Sequence, residues 1–114
     1  MSGVVTPFPN PRGAAMQTGF ERAELTRILD LYGRMVAAGE WKDYSIAGLS
    51  DAAIFAVYRR SGEQPFYRIE KRPALARKQG AWAVIGQGGM VLKRGQELAQ
   101  VLRLFDRRRF TVVE

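Results

Sequence analysis

The run Ala-Ile-Phe-Ala-Val-Tyr at positions 53–58 constrains the fold more than any other stretch of the chain. It is short, apolar and rich in β-branched and aromatic residues, so it reads as a strand, continuing to Arg60. Side chains alternate along a strand. Ile54, Ala56 and Tyr58 therefore share one face, and Phe55 and Val57 share the other. Trp82 and Val84 oppose Ala83 and Ile85 in the same way. A sheet covered on one side only alternates apolar with polar residues, so this sheet asks for cover on both faces. Two helices on one face would leave the other to a second copy of the chain, a homodimer, or to the N-terminal segment. One helix on each face is the alternative.

The neighbouring segments supply the rest of the sheet. Tyr44–Leu49 and Phe66–Lys71 are β-like, with Ser61–Pro65 as a turn between the second and third strands. Ala81–Ile85 and Met90–Lys93 form a hairpin across Gly86–Gly89. That glycine cluster is followed by a strand rather than a helix, so it reads as a turn and not as a dinucleotide-binding loop. Between the third and fourth strands, Arg72–Gly80 has proline near its start and glycine at its end, the pattern of a short helix.

Helices flank the sheet. Thr18 and Glu21 have capping-box spacing, and Leu25, Ile28, Leu29, Tyr32, Met35 and Val36 follow at helical spacing up to Gly39. A closing helix runs from Gln96 to Asp106 on Leu98, Val101, Leu102 and Phe105, and Phe110–Val113 reads as a last strand. The fold class is α+β: a long N-terminal helix, an antiparallel sheet of about five strands and a C-terminal amphipathic helix. Residues 1–17, with Pro7, Pro9 and Pro11, form an arm whose Val4, Val5 and Phe8 can dock on the body or on a partner. Residues 18–114 form a single domain, as the length of 114 residues suggests.

Chemistry is narrowed by what the chain lacks. It contains no cysteine and no histidine, which removes disulfides, thiolate nucleophiles, and the commonest general base and metal ligand. Glu40, Asp43 and Asp51 have no convergent third group and read as solvated carboxylates. No catalytic residue, metal or cofactor is assigned. The start of the chain lacks a basic segment followed by an apolar run, and no stretch approaches a membrane span. The expected location is cytoplasmic, with no membrane contact.

Charge points to a partner. Residues 1–57 hold five basic and six acidic residues, whereas 58–114 hold thirteen and five. A basic half favours an anionic partner. Arg59, Arg60, Arg68, Lys71, Arg72, Arg77, Lys78, Lys93 and Arg94 cluster near the ends of predicted elements, with Tyr58, Phe66, Tyr67 and Trp82 beside them. Cations that follow phosphates, among rings that stack on bases, are what a single-strand-binding surface needs. Arg103 and the run Arg107, Arg108 and Arg109, placed just past the last helix, add a further patch or a helix-end cap. The sequence thus describes a small non-enzymatic binding protein that contacts nucleic acid through its basic half. The alternative is an adaptor or regulator for an acidic protein.

Three segments, FERAELTRILDLYGRMVAAGEWKDYSI, PFYRIEKRPALARKQGAWAV and VLKRGQELAQVLRLFDRR, resemble the bacterial family catalogued as domain of unknown function 2794. The resemblance spans roughly residues 20 to 108 and implies a bacterial, cytoplasmic, single-domain protein. It assigns no ligand and no catalytic residue.

Overall fold

The computed structural model describes residues 17–60 and 64–113, with side chains described at 17–60 and 64–106. The expectations for the arm's first sixteen residues and for Ser61–Glu63 lie outside these. The elements run α1 (Arg22–Ala37), β1 (Asp43–Gly48), β2 (Ala53–Tyr58), β3 (Tyr67–Lys71), a 3-10 turn (Pro73–Leu75), β4 (Trp82–Ile85), a second 3-10 turn (Gln87–Gly89), β5 (Val91–Gly95) and α2 (Leu98–Val113). The five strands form one antiparallel meander in sequence order, β1-β2-β3-β4-β5. The α+β class and the five-stranded sheet are therefore as the sequence indicates.

Both helices lie on the same face. Ile28, Leu31 and Met35 of α1 and Leu98, Val101, Leu102 and Phe105 of α2 join Phe55, Val57, Tyr67, Ile69, Trp82 and Val84 in one core. Trp41 plugs the end of this layer, with its ring edge-on to Phe105 at 5.1 Å. The arrangement with one helix on each face is thereby excluded for the described helices. The opposite face carries Ser45, Ile54, Ala56, Tyr58, Arg68, Glu70, Ala83, Ile85 and Arg94, in register across the strands. Ionic residues on its central strand make it mixed rather than apolar.

Local details depart from the sequence reading where neighbours intervene. Thr18 does not cap α1. Its N–H donates to the Leu49 carbonyl at 2.7 Å and its hydroxyl to the Ser50 carbonyl at 3.2 Å, which ties the chain to the β1–β2 turn. Glu21 is the N-cap, and its N–H donates to the Glu24 carboxylate at 2.7 Å. The buried stripe of α1 is also rotated, so that Leu31 is buried and Val36 is exposed. The apolar arc is broad enough to present either line, and the sheet selects Ile28, Leu31 and Met35. The short helix expected in the 72–80 segment is a 3-10 turn confined to Pro73–Leu75. Gly80 explains its abrupt end. It has φ +109°, and a Cβ there would fall on the Gly95 carbonyl. Phe110–Val113 is helix, not strand, because nothing from Asp106 to Val113 breaks the helix and arginine is a good helix former. Arg107, Arg108 and Arg109 therefore lie within α2, not past it, and their side chains fall outside the described ones.

Candidate nucleic-acid interface

Where β2 ends and β3 begins, the meander turns back on itself beside the start of β1. Two backbone bonds fix this corner. The Lys42 N–H donates to the Tyr58 carbonyl at 2.8 Å, and the Phe66 N–H to the Val57 carbonyl at 2.7 Å. These bonds set Lys42, Arg59 and Phe66 around one point. The Arg59 guanidinium lies over the Phe66 ring, 5.1 Å from its centroid. Such a contact is worth about 0.5–1 kcal/mol at an exposed site, and it restrains a long side chain. Together with Gly39, Glu40, Arg60 and Gln87 these residues line a cleft of about 500 Å³. Three cations and one carboxylate surround a half-exposed ring. An anion bearing a flat group would meet both partners it needs.

Of the residues singled out by sequence, the structure brings Arg59, Arg60 and Phe66 together here, with half-buried Tyr58 adjoining them. The Tyr58 hydroxyl is 3.0 Å from that of Ser45. Lys42 was not among them. No pattern around it signals a site, and its place opposite Arg59 follows only from the register that pairs Asp43 with Tyr58.

Two of the four rings are not available for stacking on a base. Trp82 is 6% exposed and stacked on Phe20 at 6.1 Å, and Tyr67 is 8% exposed between Trp41 and Phe105. Both point into the helix-covered face, where apolar burial outweighs any use at the surface.

Lys71 also points into that face. Its ammonium donates to the Glu24 carboxylate at 2.7 Å and to the Gly19 carbonyl at 3.0 Å, beside the Trp82 ring. With only 14% of its side chain exposed, it anchors α1 to the sheet. Its neighbours in sequence, Glu70 and Arg72, behave differently. Glu70 is buried and lies 3.4 Å from the Arg68 Nε and 3.2 Å from the Arg72 Nε, while Arg72 also reaches Asp51 at 3.3 Å. A buried carboxylate must be paired to be tolerated, so these two arginines are partly consumed by Glu70. That requirement is invisible in a count of cations.

Arg77 and Lys78 are exposed after the 3-10 turn, and Arg94 donates to the Gly80 carbonyl at 3.3 Å. Lys93 and Arg94 occupy opposite faces of β5, and Arg103 is exposed on α2. The cations thus fall into separate groups at the two ends of the sheet, about 13 Å apart along β3 at the usual rise of a strand. They do not form one track. Among the described residues, no group of three histidine, cysteine, aspartate or glutamate side chains could hold a metal ion, and no helix is long and apolar enough to cross a membrane.

Residues 18–102 match the model of a family described as protein of unknown function (DUF2794), and the chain belongs to that family. Every residue of the cleft lies within the matched segment. No curated protein and no solved structure matches the chain.

Proposed function

We propose that this member of the family is a non-catalytic binding protein that takes single-stranded nucleic acid at the Lys42–Arg59–Arg60–Phe66 corner. The observation that supports this reading is the guanidinium of Arg59 lying across the half-exposed Phe66 ring, with two more cations beside it. Phosphates meet the cations, and a base stacks at the ring. Neither role requires a proton donor or a nucleophile, and the corner supplies none that is poised for turnover.

The test is a titration of labelled single-stranded oligonucleotides at two salt concentrations. Each phosphate contact contributes a slope of about −0.7 to log K against log salt. Replacing Lys42, Arg59 and Arg60 by alanine is expected to flatten the slope by up to about two units, if each makes a contact. Phe66→Ala is expected to weaken binding by about 5- to 150-fold, corresponding to a stacking loss of ~1–3 kcal/mol per base, while leaving the slope intact. Undetectable affinity of the wild type at low salt overturns the reading and leaves an acidic protein as the partner.

A further inference from the structure

We propose that two copies of this chain pair through their β1 strands, antiparallel about a twofold axis at Ser45, to form one continuous ten-stranded sheet. The inference does not rest on the nucleic-acid reading, although Lys42 borders both surfaces.

It starts from the exposure of β1. All six of its residues are exposed, and among the described residues it ends the strand order. Tyr44 and Ile46 are 41% and 48% exposed, and Leu49, just beyond, is 44% exposed. Edge strands of soluble proteins are normally blunted by proline, lysine or a bulge. Asp-Tyr-Ser-Ile-Ala-Gly has none of these, and its register with β2 is unbroken from Asp43 to Gly48.

The chain's own N-terminal segment does not suit this edge. It reaches the body at Thr18, which is bonded to Leu49 and Ser50. The six residues that precede Thr18 in sequence, Arg-Gly-Ala-Ala-Met-Gln, are poor in strand formers.

A second copy does suit it. Directly opposed residues of an antiparallel pair lie on the same face, so only registers of matching parity are allowed. Centring on Ser45 sets Tyr44 against the partner's Ile46, and Ile46 against the partner's Tyr44. An aromatic–β-branched pair thus forms twice, beside the stack of Tyr44 on Phe55 at 4.9 Å. Asp43 meets the partner's Ala47 rather than another aspartate. Lys42 meets the partner's Gly48, whose following turn carries the exposed Asp51, a carboxylate shared with Arg72 of its own chain. Centring on Ile46 instead would set Tyr44 against the partner's Gly48. That register gives up both Tyr44–Ile46 pairs and leaves Tyr44 with no side chain opposite it.

The full chain at 10–100 µM is to be measured by light scattering. The expected mass is twice 12.8 kDa, with monomer for Ile46→Lys and dimer for the control Val91→Lys on β5. Because the chain has no cysteine, Ser45→Cys provides a second, covalent readout. Opposed Cβ atoms about 4.5–5.5 Å apart come within reach of a disulfide after a small shift. Air oxidation of the two thiols to an interchain disulfide is expected for Ser45→Cys and not for Ala47→Cys. A monomeric wild type at 100 µM overturns the proposal, as does an Ile46→Lys variant that stays dimeric. Crosslinking at Ala47 in preference to Ser45 overturns the register.

Discussion

The two edges of the sheet, β1 and β5, are built in opposite ways. β5 carries Lys93 and Arg94, and its register with β4 slips between Val84 and Ile85. Its end is drawn in by the bond from Arg94 to Gly80, and α2 begins three residues beyond it. Charge, irregularity and a covering helix each deter another strand from adding there. β1 has an intact register, a single charge at its first residue and apolar side chains in the open. Among the described residues, one edge is thus protected in three ways, whereas the other has only a charge at its first residue and the Thr18 tie at its far end. The proposed pairing through β1 would account for that asymmetry.

The comparison can be broken first at the guarded edge. Gly80→Ala forces a side chain onto the Gly95 backbone at φ +109°. Strain and displacement together are expected to cost about 3 kcal/mol or more. The denaturant midpoint would report this loss, while association through β1 would survive in whatever fraction folds. An unchanged midpoint would mean that the β4–β5 end is not rigid.

At the open edge the corresponding substitution is milder. Gly48→Ala places a Cβ 2.9 Å from the Thr18 carbonyl oxygen. The displaced Thr18 clamp is expected to cost about 1–2 kcal/mol, in the range of modest overpacking. Equal losses at Gly80 and Gly48 would erase the distinction between a braced edge and a lightly tied one.

The smallest effect is a change of slope. Burial raises the pKa of Tyr32 above its ordinary value of 10.0, with the nearby Asp43 carboxylate and Tyr44 adding to the shift. The folded state therefore favours the neutral phenol. Below about pH 10 both states are protonated and the contribution is fully present. Above it the unfolded chain ionises first, and stability falls until the folded pKa is passed. Tyr32→Phe is expected to flatten that alkaline decline in denaturant titrations. A slope identical to wild type would show that Tyr32 is not held beside β1 as described, at 4.8 Å from the Tyr44 ring.

Much of the fold was legible because it depends on local pattern. The α2 stripe, the five strands and the Gly86–Gly89 turn all come from periodicity and turn residues within a few positions. What was not legible depends on partners far away in sequence. The N-cap shifts from Thr18 to Glu21 because Leu49 and Ser50 claim Thr18. Trp82 and Tyr67 look like stacking rings until the sheet turns them under the helices. Lys71 looks like a surface cation until Glu24 meets it. For the cleft, Arg59, Arg60 and Phe66 could be named in advance from charge and aromaticity. Lys42 could not, since it joins them only through strand register.

The same Glu24 oxygen accepts both the Lys71 ammonium and the Glu21 backbone N–H, each at 2.7 Å. The strength of a helix cap is usually a local matter, settled within one turn. Here the cap's acceptor is held by a residue 47 positions away. The first turn of α1 closes locally through the Glu21–Glu24 capping box, and Lys71 then pins that turn to β3. Loosening β3 at Lys71 therefore weakens the start of α1, and the helix end and the sheet share one carboxylate.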